Sequence, residues 1–242
     1  MNELKLGGLA LKTPAVCGVI QGRDVREMSR AVSLALKKGA ELVELRIDSL
    51  RDRWEWQKIL KINLPLIFTN RPKREGGAFA GSEKERVRII LEAIENKVPC
   101  IDIEFSTPRD LRDEVVNAAK REGVSVLMSW HDFSRTPATK VLKTMAEKMV
   151  SSGGDLIKVV TLAREPADAI RILDFLVDIQ DKISIPVIAF AMGEAGKITR
   201  IASPLLGSPF TYASVGRPTA PGQLDVAGTK LLLQRLLPRG GV

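Results

Sequence analysis

Residues 100–133 read CIDIEFSTPRDLRDEVVNAAKREGVSVLMSWHDF, and they decide the fold class. The stretch opens on CIDIEF (100–105) and closes on SVLMSWHDF (125–133), two short apolar runs of strand length. Between them, TPRDLRDEVVNAAKREG spaces its apolar residues three and four apart, the pattern of a helix with one buried face, and Thr107 stands where an N-cap belongs. A strand, a helix and a second strand in this order make a βαβ unit, whose strands run parallel. The alternation continues in both directions. Upstream lie AVCGVIQ (15–21), ELVELRID (41–48) and LPLIFTN (64–70); downstream lie LIKVVTLA (156–163), IPVIAFAM (185–192) and FTYASV (210–215). Helical segments intervene, among them VREMSRAVSLALKKG with Gly39 at a C-cap position, and SEKERVRIILEAIENK opening on Ser82. Eight strand-helix units in 242 residues predict a closed (β/α)8 TIM barrel, an architecture of about 250 residues. An open doubly wound sheet of the Rossmann kind would carry GxGxxG after an early strand, but IQGRDVRE follows the first one. The leading segment ELKLGGLALKTP reads as a short β-hairpin closing one end of the barrel. No linker or charge block divides the chain, so a single domain over residues 1–242 is expected.

Composition narrows the function classes. The 37 Lys and Arg against 29 Asp and Glu leave a net charge of +8, which raises the question of nucleic acid or an anionic small molecule. The basic residues are interleaved with acids, as on solvated helix faces, and aromatics at 5% offer no base-stacking platform, so nucleic-acid binding is not expected. No run of about 18 apolar residues is present and the N-terminus lacks a signal-peptide pattern, which predicts no membrane association and a cytoplasmic location. Cys17 and Cys100, far apart and without CxxC spacing, indicate neither a disulfide framework nor a zinc site.

Parallel strands covered on both faces are almost wholly apolar, so ionisable groups inside them call for a reason. Side chains alternate along a strand. By that rule Glu44, Arg46 and Asp48 share one face of the second strand, Asp102 and Glu104 one face of the fourth, Ser129 and His131 one face of the fifth, and Lys158 sits on the sixth. Arg46, Asp48, Glu104 and His131 fall in the later halves of their strands and Glu44, Asp102, Ser129 and Lys158 nearer the middle; in a barrel the later halves converge on the C-terminal mouth where active sites are built. A structural alternative is a buried Arg46–Glu104 pair whose desolvation is offset by mutual contact. In an apolar strand an ammonium is costly, and the neutral amine of Lys158 is a nucleophile able to form an iminium ion with a ketone or aldehyde. His131 is the only histidine, which excludes HExxH and multi-histidine metal sites and leaves general acid-base work near neutral pH. Asp132 points to the opposite side, so Glu104 or Glu75 is the candidate to orient His131.

Taken together, ELRID, FTNRPKREGG, IDIEF, SWHDF, IKVV, AMGEAGKITR and TAPGQ resemble, in order and over almost the whole chain, the type I 3-dehydroquinate dehydratase family. The resemblance implies a lyase of aromatic amino-acid biosynthesis that removes water from a carboxylated ring ketone, without metal or organic cofactor, as a homodimer. It further implies that Lys158 forms the Schiff base, His131 transfers the proton, and Glu75 positions the histidine. Substrate would be bound by Glu44, Arg46, Arg71, Arg200, Thr219 and Gln223, with the Arg200 guanidinium suited to a carboxylate through two parallel hydrogen bonds. One departure is PTAPGQ where the family often has ASAPGQ, so that Thr219 keeps the hydroxyl of a serine and adds a methyl group. GRPTAPGQ (216–223) reads as a loop able to act as a lid. GEAGK lacks the GxxxxGK[ST] spacing of a phosphate loop. Two competing readings are a Schiff-base aldolase on the same barrel and a noncatalytic basic protein that binds polyanions.

Overall fold

A computed structural model describes residues 2–51, 53–60 and 64–237. The chain begins with an antiparallel hairpin of β1 (Asn2–Leu6) and β2 (Leu9–Thr13). Eight parallel strands follow: β3 (Ala15–Ile20), β4 (Leu42–Arg46), β5 (Leu66–Thr69), β6 (Cys100–Glu104), β7 (Ser125–His131), β8 (Leu156–Leu162), β9 (Val187–Met192) and β10 (Phe210–Ser214). Their ladder order is β10-β3-β4-β5-β6-β7-β8-β9, each next to its sequence neighbour and β10 beside β3. Buried residues from all eight strands, among them Cys17, Leu42, Ile67, Cys100, Leu127, Leu156, Ile188 and Phe210, make one cluster. The sheet is therefore curled into a barrel with that cluster inside. Phe190 of β9 and Tyr212 of β10 meet across the seam, ring centroids 6.0 Å apart.

A second apolar layer lies between the strands and the helices, built from the opposite parity of each strand: Val43 and Leu45, Ile101 and Ile103, Val126 and Met128, Ile157 and Val159. The helices that cover it are α1 (Val25–Lys37), α2 (Glu83–Glu95), α3 (Arg109–Glu122), α4 (Thr139–Ser151), α5 (Pro166–Gln180), α6 (Thr199–Leu205) and α7 (Val226–Leu236). Local chemistry sets their ends. Asp24 accepts the Glu27 N–H at the start of α1, and Gly39 follows its end at φ +91°, the left-handed conformation glycine adopts without penalty. Ser82 and Glu85 form a reciprocal capping box on α2.

Three expectations need correction. The second strand is not followed by an α-helix among the described residues; Arg53–Ile59 is a 3-10 helix, with Trp56 fully buried edge-on against Phe68. Thr107 is not the N-cap of α3; that position is Pro108, and the Thr107 hydroxyl instead accepts from Arg86 Nη2 at 2.7 Å. Asp48 is not a strand residue, because β4 ends at Arg46 and a 3-10 turn, Ile47–Ser49, carries it.

The hairpin sits at the N-terminal ends of the strands. Leu4, Leu6 and Leu11 join the interior cluster there, and the Gly7 N–H donates to Ser125 Oγ at the first residue of β7. Burying such leucines contributes about 1.5–3 kcal/mol each. With that end filled by apolar side chains, the C-terminal mouth is the end at which the interior turns polar. Among the described residues, no helix is long and apolar enough to cross a membrane.

Candidate active site

The polar half of the barrel interior is built one strand at a time. Register places Thr69 beside Asp102, Glu104 beside Ser129, and Ser129 beside Lys158, so alternate positions on neighbouring strands face one another around the mouth. Lys158 Nζ, 3% exposed as a residue, lies 2.7 Å from Asp102 Oδ2 and 3.4 Å from both Glu44 Oε1 and the Tyr212 hydroxyl. Three acceptors therefore surround the three hydrogens of an ammonium group. Arg71, just beyond β5, donates to Asp102 at 2.5 Å and to Glu104 and Ser129 at 2.7 Å each, while Ser129 donates to the second Asp102 oxygen at 2.6 Å. Behind it, the fully buried Arg86 of α2 lies 2.6 Å from the other oxygen of Glu104.

These charges set one another's protonation. Burial pushes the Asp102 carboxyl up, but Arg71 and Lys158 together overcome it and hold the group well below the usual carboxylate range. For Glu104 burial wins: despite Arg71 and Arg86 it is raised to about 6. Arg46 forms a two-pronged pair with Asp48, at 2.9 and 2.8 Å, and Asp48 also accepts the backbone N–H groups of Arg71 and Ala78. The Arg46–Glu104 pair weighed from the sequence does not form.

His131 ends β7. Its Nδ1 lies 2.9 Å from Glu75 Oε2, and the other oxygen of Glu75 accepts the Ser106 hydroxyl. Of the two acids considered for orienting the ring, the structure places Glu75 there and commits Glu104 to the arginines. Asp132 faces away and accepts from the Ser134 and Arg135 N–H groups. Burial, reinforced by the positive charges of Arg71 and Lys158, lowers the imidazole well below its ordinary value, so the ring is neutral at pH 7. With Nδ1–H given to Glu75, the lone pair is left on Nε2; this assignment follows from the hydrogen bond.

Arg200 lies on α6, 2% exposed. Its guanidinium sits 4.7 Å over the Phe190 ring and donates to the Pro221 carbonyl at 3.2 Å. Its Nε has no hydrogen-bond partner, and among the described residues it forms no ion pair. Burial alone lowers it to about 10. In the loop before α7, the Gln223 side-chain oxygen accepts from both the N–H and the hydroxyl of Thr219, at 2.7 and 2.9 Å.

One cavity of about 620 Å³ collects these groups. Its lining includes Lys158, His131, Glu75, Glu44, Arg46, Arg71, Arg200, Thr219 and Gln223, that is, each residue to which the resemblance gives a role; Asp48, Asp102, Glu104 and Ser129, also placed at the mouth from the sequence, are not among the lining residues. It also includes residues that the sequence reading passed over: Tyr212, Phe190, Met192 and Phe133. The first three share the inward parity of their strands, so the alternation that found Lys158 was available for them; they were passed over because an aromatic or methionine in a strand reads as core. Asp102 was placed on the correct face, but its contact with Lys158 crosses from β6 to β8, two strands away, and depends on the curvature of the barrel.

The chain was compared with known proteins. The sequence model of a family described as type I 3-dehydroquinase matches residues 16–236. The 3-dehydroquinate dehydratase of Methanothermobacter thermautotrophicus is 36% identical, the alignment covering 92% of this chain and 97% of that one. The enzyme of the same name from Methanosarcina barkeri is 37% identical over 96% of this chain and 99% of its own. Among solved structures, 3-dehydroquinate dehydratase from Geobacillus kaustophilus HTA426 superposes with a TM-score of 0.91 at 26% identity, covering 99% and 98% of the two chains. Agreement at this length in sequence, and over this whole barrel in shape, places the chain in the type I 3-dehydroquinase family.

Proposed function

We propose that this protein removes water from 3-dehydroquinate to give 3-dehydroshikimate, a step of aromatic amino-acid biosynthesis, through a Schiff base on Lys158. The observation that carries the reading is the pairing, on the wall of one cavity, of a buried lysine with a buried arginine that has no acid of its own among the described residues. An amine selects a ketone; a desolvated guanidinium without a counter-ion selects a carboxylate. The named relatives and the family model point to the same substrate.

The residues then divide the work. Lys158 Nζ adds to the C3 ketone, and loss of water gives an iminium ion that acidifies the neighbouring C2–H by drawing its electron pair. Neutral His131, held through Nδ1 by Glu75, takes that proton on Nε2. The resulting imidazolium gives it to the C1 hydroxyl, which leaves as water while the C1–C2 double bond forms; one water then adds to the product iminium carbon, restoring the C3 ketone and freeing Lys158. Arg200 anchors the substrate carboxylate, and Glu44, Arg46, Arg71, Thr219 and Gln223 bind its hydroxyls. Asp102, kept ionised, offers the iminium N–H an acceptor at the position where it now meets the amine. We further assign a single catalytic domain over residues 1–242, a homodimer and a cytoplasmic location, by analogy with the family.

Borohydride reduction with 3-dehydroquinate present tests the assignment. The peptide containing Lys158 gains the mass of the reduced adduct, and an enone absorbance grows in the unreduced reaction. Lys158→Ala loses both signals. His131→Ala still gives the adduct while turnover falls by about 10²-fold or more. Folded wild-type protein that shows neither adduct nor enone would overturn the proposal.

A further inference from the structure

Forming the iminium ion requires hydrogens to move from nitrogen to the ketone oxygen, and one group against Nζ is suited to carry them. Of the three neighbours of Lys158 Nζ, Asp102 is held ionised and already accepts from Arg71 and Ser129, and Glu44 accepts the Thr69 hydroxyl. An ionised carboxylate has no hydrogen to give. The Tyr212 hydroxyl accepts from Nζ at 3.4 Å, faces the cavity, and donates its own hydrogen to no group among the described residues. Phe210 and Phe190 hold the ring from two sides, with centroids at 5.5 and 6.0 Å.

We propose that Tyr212 is a catalytic residue of imine formation, its hydroxyl relaying hydrogens from Lys158 Nζ to the ketone oxygen as that oxygen departs. The inference rests on the Schiff-base reading above. As the N–C bond forms, the ammonium passes one hydrogen to the phenol oxygen while the phenol passes its own to the ketone oxygen, whose π pair it captures. The product is a carbinolamine with two hydrogens on its nitrogen. A second relay moves one of these to the new hydroxyl, the C–O bond breaks, and water leaves. Of the three ammonium hydrogens, two depart in the water and one stays on the iminium nitrogen; the phenol ends as it began. Burial, and next the charge of Glu44, push the phenol well above its ordinary value, so it acts as a protonated relay and not as a phenolate base.

Tyr212 is the only tyrosine of the chain, which makes the test specific. In rapid-quench borohydride trapping with 3-dehydroquinate, the Tyr212→Phe protein reaches the wild-type extent of Lys158 labelling about 10²-fold more slowly, and the solvent deuterium effect on labelling seen in wild type is lost. A purely structural role would leave that isotope effect in place. Should Tyr212→Phe fail to fold, fluorotyrosine incorporated throughout the chain modifies this one phenol at nearly constant shape. Its labelling rate then departs several-fold from wild type. Wild-type labelling with an unchanged rate and isotope effect in Tyr212→Phe, or in the fluorotyrosine protein, overturns the relay alone. Absence of labelling in wild type overturns the Schiff-base reading, and the relay with it.

Discussion

Arg200 illustrates what a single residue can reveal through its unsatisfied chemistry. Its side chain is held out of water with a π-face and one carbonyl for company, and the pull of its charge toward solvent lowers it from the ordinary guanidinium value to about 10. Below pH 10 both the folded and the unfolded chain carry this proton, so the full cost of burying the charge is present at neutral pH. It declines as pH rises above about 10, where the folded state releases the proton before the unfolded chain does. The shift corresponds to on the order of 3 kcal/mol against folding. Arg200→Met is therefore expected to raise the stability of the ligand-free protein, by about 1–3 kcal/mol in urea unfolding at pH 7, while KM for 3-dehydroquinate rises by about 10²-fold. Lower stability combined with an unchanged KM would contradict an anion-receiving role. From the sequence, Arg200 could be picked out only by resemblance. Nothing in GKITR says that this arginine lacks a partner, because the absence of a counter-ion is a property of the space around it. Lys158, by contrast, stood out by itself, since a cation amid Ile157 and Val159 is costly wherever the strand is buried.

At the level of elements, α2 links ordinary helix chemistry to the site. Ser82 and Glu85 close its first turn, Arg86 follows immediately, and the Arg86 guanidinium reaches inward to Glu104 beneath Arg71. Loss of the cap in Ser82→Ala is expected to cost about 1 kcal/mol, read as a lower midpoint in denaturant. Borohydride labelling of Lys158 should persist, because the buried ion pairs and not the cap hold Arg86. A variant as stable as wild type would show that the capping box is not needed here. Ser82 could be read directly from SEKE, since a cap depends on residues three apart. Thr107 was misread by the same rule, because its hydroxyl had a stronger claim from Arg86, an element away. That no α-helix follows β4 among the described residues has a related cause. RWEWQKI carries a tryptophan whose ring fills the layer over Phe68, and a short 3-10 segment that seats it replaces the helix that periodicity would place there.

The molecule as a whole separates stability from chemistry along the barrel axis. Leucines of the hairpin and the first inward layer of strands fill one end, and ion pairs with the cavity occupy the other. Leu6→Ala, a fully buried truncation at the closed end, should destabilise the fold by about 2–5 kcal/mol while kcat of the folded fraction stays near wild type. A large loss of kcat without loss of stability would show that the two ends are coupled. By itself the sequence determined the succession of eight strands, the hairpin, and which side chains of each strand face inward, because alternation and helical periodicity are set by neighbours on the chain. It also marked Lys158, within its strand, and His131, at the end of its own, as inward polar groups. Only the tertiary structure decided who pairs with whom. Asp102 meets Lys158, Asp48 takes Arg46, Glu75 takes His131, Arg200 is left without an acid among the described residues, and Tyr212 comes to rest against the amine. Those choices follow from strand stagger and curvature, which bring together residues as far apart as Glu44 and Lys158. They are settled by the competition of every buried charge for every acceptor within reach, a balance no local pattern encodes.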